Sequence, residues 1–263
     1  IVLPILPNRG YGPAPFDVLN PYRIWLMVVL ISGISFFGYV LIKLLPGHSG
    51  VGVTGLLGGL VSSTAVTVSF AQRSRQMASL ARPFAFAVVI AWTVMFLRTP
   101  IEIAVVNPDL LGGVWPPMTA ATAAMIVYAG IMYYSDRRAI QGDLSFSNPF
   151  ELRPAIAFGF LYALILVVAR AAQIYFGEWG IYLSAVFGGI ADVNAVTLSV
   201  AELNRTGNLQ ATTAVQAVVL AAVSNTVVKA VIVAVVGSGA MLRAVILAVP
   251  VGIAGALVAL WFF

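Results

Sequence analysis

The chain has no cysteine, one histidine (His48) and, in 263 residues, only 9% charged side chains. Without cysteine there is no disulfide framework and no thiolate metal site. With one histidine there is no His/Cys metal cluster. The scarcity of charge excludes an ordinary soluble domain, which carries roughly 25% charged residues. Hydrophobic types reach 61% and the mean hydropathy is +1.01, so lipid is the solvent for which this chain is built. Catalytic constellations are missing too. Asp192 has no second carboxylate at its depth, as an aspartyl intramembrane protease requires. There is no Ser–His pair at depth and no phosphate loop, and the loops are too short to hold a soluble active site. The expectation is a protein that is not an enzyme and needs no cofactor. The net charge of +5, from 14 basic and 9 acidic residues, is read as membrane topology and not as affinity for nucleic acid.

What is present is apolar runs long enough to cross a bilayer, for which about 20 residues suffice. Eight are expected: 24–45, 51–72, 83–106, 117–134, 154–176, 181–202, 212–236 and 240–263. Proline- and glycine-rich gaps separate them, among them "LPGHSG", "NPDLLGGVWPP" and "SNPFELRP". If all eight cross, Arg9, Arg23, Arg73, Arg75, Arg82, Arg137, Arg138, Arg153 and Arg205 fall on one face. The positive-inside rule makes that face cytoplasmic and puts both termini there. His48 falls in an outer, solvated loop. The opening "IVLPILP" reads as the end of a preceding membrane segment, with residues 1–21 completing it and a linker.

The chain also aligns with itself. Gly58-Gly59 matches Gly188-Gly189 at an offset of 130 residues (188 − 58). At that offset Ala65, Val66, Thr67, Ser69 and Arg75 match Ala195, Val196, Thr197, Ser199 and Arg205. Residues 88–106 fall on residues 218–236. The expected fold is therefore an all-α integral membrane protein of about eight transmembrane helices. They form two tandem four-helix repeats, residues 22–135 and 154–263, joined by a cytoplasmic linker at 136–153. With four crossings each, the repeats are expected to be parallel.

Polar residues gather at the centres of the second and sixth spans: Ser62, Ser63, Thr64 and Thr67 in one, Asp192, Asn194 and Thr197 in the other. Hydroxyls can bond back to their own helix, and small residues can bring helices close. An ionisable group at mid-membrane, by contrast, marks a wet cavity or a partner. The glycine pairs Gly58, Gly59, Gly188 and Gly189 are candidate helix breaks, since glycine tolerates non-helical backbone; close helix contact is the other reading. Ser224, Asn225 and Thr226 add polar groups on the seventh span. Arg98 and Glu102, spaced i,i+4, are a candidate charge pair. Arg98 and Lys229, nearly equivalent across the repeat, are candidate anion-attracting groups, with snorkelling as their default role.

The stretches "LNPYRIWLMVVLISG", "GLLGGLVSSTAVT", "SFAQRSR" and "GGIADVNAVTLSVAEL" resemble the C-terminal membrane domain of bacterial MgtC/SapB-family proteins, over nearly the whole chain. The resemblance implies a bacterial inner-membrane location and a further membrane domain ahead of this one. The family's association with magnesium and acid stress belongs mainly to that other domain.

Three functional readings stand. The first is an inner-membrane ion transport protein, channel or carrier, with cations favoured because Asp192, Asn194 and the hydroxyls supply hard oxygen ligands; Asp192 is then the candidate metal or proton ligand. The second is a non-transporting scaffold or regulator that binds a partner protein. The third is an anion channel served by Arg98 and Lys229. The expected partners are the bilayer, a small inorganic ion and a second copy in a homodimer.

Overall fold

The computed structural model describes residues 2–13, 17–44, 50–135 and 152–262. His48, Arg137, Arg138 and most of the expected linker lie outside the described residues. The described chain is helical: α1 (Pro21–Leu44), α2 (Val51–Gln76), α3 (Ala81–Val106), α4 (Leu111–Ser135), α5 (Leu152–Ala191), α6 (Val193–Arg205), α7 (Ala211–Val236), α8 (Gly239–Val245) and α9 (Ala248–Phe262). Seven stretches among these residues are long and apolar enough to cross a membrane; α6, at 13 residues, is not one of them.

Local chemistry sets the ends. Asn20 precedes Pro21, and its Oδ1 accepts from the Arg23 amide at 3.2 Å, so a capping side chain and a pre-set φ start α1 together. Ser238 caps α8 by accepting from the Met241 amide. The gap expected around "NPDLLGGVWPP" is mostly helical: after a 3-10 turn at Pro108–Leu110, α4 runs from Leu111 through Pro116 and Pro117. Both prolines lie in the second turn of α4, where they forgo the i→i−4 bonds to the carbonyls of Gly112 and Gly113.

α2 is a hairpin of two arms. Ser62 is extended (φ −164°, ψ 107°) between residues 51–61 and 63–76. The first arm runs in the same direction as α3, with close approaches that progress from Gly52 on Phe86 through Gly55 on Ala87 to Gly59 on Ala91. The second arm runs against α3: Trp92 Nε1 donates to Thr67 Oγ1 at 2.9 Å, and further back Phe70 lies on Phe84 with ring centroids 5.0 Å apart. Opposite senses along one helix require a reversal at Ser62.

α5 and α6 repeat the device. Gly177, at φ +60° and ψ −141°, divides α5 into residues 152–176 and 178–191. This backbone region suits glycine, and the reversal is tight: a Cβ on Gly180 would lie 2.0 Å from the Ala172 carbonyl oxygen. Residues 178–191 then run with α7, from Thr213 Oγ1 donating to Glu178 Oε1 (2.7 Å) to Ser224 Oγ donating to the Val186 carbonyl (2.7 Å). At Asp192 (φ −161°, ψ 120°) the backbone is extended again, and α6 folds back so that Val196 packs on Gly188.

The expectation of continuous spans at 51–72 and 181–202 is thereby corrected, as is the position of the breaks. Gly58, Gly59, Gly188 and Gly189 stay helical; the chain breaks three or four residues later, at Ser62 and Asp192. The glycines serve contact instead. A Cβ on Gly59 would meet Ala91 Cα at 2.8 Å, and one on Gly189 would meet Ala221 Cα at 2.9 Å. An extended residue with φ near −160° needs no glycine.

The chain forms two compact units. One combines residues 1–33, 99–115 and 150–225, holds the α5–α6 hairpin, and is centred on Tyr162, Leu166, Ile103 and Ile181. The other combines residues 34–98, 116–149 and 226–263, holds the α2 hairpin, and is centred on Phe70, Trp92, Phe96, Met118 and Met125. Their charges differ. The described residues of the second unit carry Lys43, Arg73, Arg75, Arg82, Arg98, Lys229 and Arg243 and no carboxylate.

The glycine contacts make a stability prediction. Gly59→Ala and Gly189→Ala each lose about 1–3 kcal/mol, because backbone must move to admit the methyl group. Gly130→Ala, with nothing within 4 Å of the new Cβ, is neutral or stabilising by up to about 1 kcal/mol. Thermal unfolding of the three variants in detergent checks the ordering.

Candidate functional site

A helix broken inside apolar surroundings frees carbonyls at the end of one arm and amides at the start of the next. Each hairpin tip is a set of answers to that demand. At the α2 tip, Arg98 Nη1 donates to the Leu60 carbonyl at 2.9 Å and Ser35 Oγ donates to the Val61 carbonyl at 3.2 Å. Ser62 caps the second arm, its Oγ accepting from the Ala65 amide at 3.2 Å. Lys229, 1% exposed, donates from Nζ to Ser63 Oγ at 2.7 Å and lies 2.9 Å from Met95 Sδ. Thr67 donates to the Ser63 carbonyl and is buried. Ser62 and Ser63 are half-buried and Thr64 is exposed.

At the α5–α6 tip, Asp192 Oδ1 accepts from the amides of Asn194 (2.7 Å) and Ala195 (3.1 Å), the geometry of an N-cap. A carboxylate at a helix amino end is also favoured by the helix dipole. Asn225 Nδ2 donates to the Gly189 carbonyl at 2.8 Å. The other side of that amide, Oδ1, is buried without a protein partner, and so is the Thr197 hydroxyl. Asp192 and Asn194 are half-buried.

The candidate residues thus divide between two sites. Ser62, Ser63, Thr64, Arg98 and Lys229 belong to one tip; Asp192, Asn194, Ser224 and Asn225 belong to the other. Glu102 and Thr226 are fully buried. The default of snorkelling for Arg98 and Lys229 is corrected: they are 6% and 1% exposed, and their cationic heads hold the break in α2. Sequence reasoning passed over Ser35, Met95 and Trp92. Ser35 lies one turn after Ser32 in an otherwise apolar stretch of α1, which is the faint signal it gives.

The open ends of the hairpins are also tied down. In the second unit Arg75 donates to the carbonyls of Gly237 (3.1 Å) and Val235 (2.7 Å), and Ser74 Oγ accepts from the Ser238 amide (2.9 Å). In the first unit Asn107 Nδ2 donates to the Ala201 carbonyl (3.2 Å) and to Asn204 Oδ1 (2.7 Å). Glu202 there bridges Arg23 (3.3 Å) and Arg205 (2.8 Å), and the hydrogen-bonded carboxylate pushes the Arg205 guanidinium further up. The breaks at Ser62 and Asp192 and the helices Ala81–Val106 and Ala211–Val236 keep the offset of 130 residues, and so do Asn107 and Gly237, and Ser74 and Asn204, at the docked ends.

Residues 29–237 match a family model described as "Domain of unknown function (DUF4010)". The chain belongs to the DUF4010 family. The matched range takes in both hairpins, the whole of α7 and Gly237, on which Arg75 rests, so both tips of this DUF4010 protein lie in what defines the family. A protein from Aquifex aeolicus (strain VF5), described as "Uncharacterized protein", is 31% identical over 188 residues, which is 71% of this chain and 82% of that one. No solved structure matches.

Ser63→Ala takes away the oxygen on which Lys229 rests. Leaving a buried donor short of a partner costs about 1–3 kcal/mol. Ser69→Ala, at a half-buried position on the same arm, stays within about 0.5 kcal/mol. Thermal unfolding in detergent distinguishes the two.

Proposed function

We propose that this DUF4010 protein transports an ion across a bacterial inner membrane, and that a cation binds at the α5–α6 tip. The observation that carries the reading is the pair of helices broken at polar centres. Irregular backbone at membrane depth is tolerated where it lines protein or water, and broken helices there bind substrates and ions. Asp192, Asn194 and Asn225 Oδ1 supply the oxygen atoms that hard cations prefer. The α2 tip supports the same reading from the other side, since an ammonium group of the protein, Lys229, already rests on the equivalent stretch of that hairpin. The resemblance to MgtC/SapB C-terminal domains supports the location.

The hairpins also bear on topology. If each folds back without crossing, the chain makes six crossings: α1, α3, α4, residues 152–176, α7 and the α8–α9 segment. Three of these lie between the hairpins, an odd number, so on that count the two sequence repeats would enter the membrane in opposite senses and not in the same one. Lys43, Arg73, Arg75, Arg82, Arg137, Arg138, Arg153 and Arg243 then fall on one face, the cytoplasmic one, against Arg9, Arg23, Arg170 and Arg205 on the other.

Two experiments test these readings. In proteoliposomes, Asp192→Asn lowers cation flux at least tenfold, with Asn225→Ala smaller in effect and Ser69→Ala without effect; unchanged flux and selectivity in Asp192→Asn would sink the transport site. For topology, the cysteine-free sequence is its own background. Single cysteines at Ser79 and Gln210, both exposed, react with an impermeant maleimide from opposite faces if the hairpins are re-entrant, and from the same face if eight segments cross.

A further inference from the structure

Away from both tips, the first turn of α3 and the middle of α8 each present one exposed arginine, Arg82 and Arg243. Both line two neighbouring cavities within the unit that holds the α2 hairpin. The larger cavity, about 710 Å³, is a slot walled by Val53, Leu56, Phe86, Ile90, Ile131 and Leu247, with Tyr128, Tyr133 and Ser135 adding polar tips. The smaller, about 370 Å³, is a recess against Ala78, Ser79, Ala81 and Ala240. Arg82, Arg243 and Ala244 belong to the walls of both. The two guanidinium groups therefore stand where an apolar slot meets a small recess near the ends of α3 and α8.

We propose that the two cavities form one binding site for an anionic phospholipid of the surrounding bilayer. An acyl chain fills the slot, and the phosphate is held by Arg82 and Arg243. A slot of this size and lining suits an apolar ligand fixed by a few polar groups. Guanidinium is the side chain best shaped to hold phosphate oxygens. Basic pockets between transmembrane helices on the cytoplasmic side take anionic headgroups. Charge complementarity decides which lipid binds. Arg82 and Arg243 place two positive charges on the walls shared by the slot and the recess, so a net-negative headgroup is favoured over a zwitterionic one, whose own ammonium is repelled. The slot runs along Gly50, Val51, Gly52, Val53 and Leu56, so the bound chain lies against the arm that leads to Ser62. This site does not depend on the transport reading.

Native mass spectrometry of the full chain, released from detergent and titrated with phosphatidylglycerol or phosphatidylcholine of identical acyl chains, tests it. Phosphatidylglycerol is expected to bind at least tenfold more tightly. Each arginine contributes about fivefold, so Arg82→Ala/Arg243→Ala brings the anionic lipid close to the zwitterionic one. Arg73→Ala, outside both cavities, leaves the preference unchanged. Val53→Trp fills the slot without changing charge and weakens both lipids, a readout that survives if the double variant fails to fold. Soluble glycerol phosphate, a headgroup without chains, does not compete. Equal binding of the two lipids, an unchanged preference in the double variant, full competition by glycerol phosphate, or crosslinks from Val53 to a second copy of the chain would each overturn the proposal.

Discussion

The constraint on which the structure depends is the backbone's demand for hydrogen bonds where water is scarce. An unsatisfied amide or carbonyl in an apolar medium costs on the order of several kcal/mol. A helix meets the demand internally, and a chain that breaks one at its polar centre must meet it otherwise. The α2 hairpin does so with side chains brought from other helices: Ser35 of α1 on Val61 and Arg98 of α3 on Leu60. The α5–α6 hairpin does so with Asn225 and Ser224 of α7 on Gly189 and Val186, and with the Asp192 carboxylate on the amides that follow it. The polar residues that look anomalous in so apolar a chain are, in large part, the price of these two reversals.

Close packing follows from the same demand. An arm of eleven to fourteen residues cannot hold itself together as a free helix in isolation; it is held by lying on a long neighbour. Gly59 on Ala91 and Gly189 on Ala221 bring the arms to backbone contact, where short side chains such as Asn225 and Ser224 can reach a carbonyl of the adjacent arm. The open ends are fixed in turn by Arg75 and Ser74 against Gly237 and Ser238, and by Asn107 against Ala201 and Asn204. Contact and hydrogen bonding are thus two sides of one arrangement, and glycine serves it by having no side chain more than by being flexible.

Much of this was legible in the residues, and what was not has a definite cause. The ends of α3 and α7 were expected at 83–106 and 212–236 and lie at Ala81–Val106 and Ala211–Val236. The turn after Phe176 was signalled by the glycine that makes it, Gly177. The tips were recognised as special because Ser62 and Asp192 are polar at the centre of an apolar run. The reversal at those residues was not legible. Twenty-six apolar-rich residues have the same hydropathy whether they form one rod or two arms, and an extended residue such as Ser62 leaves no compositional mark. Glycine, the permissive residue, therefore draws the expectation of a break, whereas the chain breaks at Ser62 and Asp192, whose side chains cap the arms that follow. Arg98 and Lys229 were misplaced for a related reason. A long cationic side chain in an apolar helix reads as snorkelling until a carbonyl or a hydroxyl is known to lie beside it.

The two tips are built alike and furnished differently, and the difference bears most directly on chemistry. Around the α2 tip the cations are covalent parts of the chain. Lys229 stands on Ser63 and Arg98 on Leu60, so two of the oxygen atoms at that break are engaged by positive charge, while Ser35 takes the Val61 carbonyl. Around the α5–α6 tip the contributions run the other way. Asp192 brings negative charge, Asn194 an amide, and Asn225 an oxygen that is buried without a protein donor. Residue 63 is a serine that accepts from a lysine; its counterpart at the offset of 130, Val193, has no hydroxyl to offer one. The first tip thus keeps a cation of its own on its serine, whereas the second keeps a buried amide oxygen without a protein donor, and that contrast is the one on which a difference in role between the tips would rest.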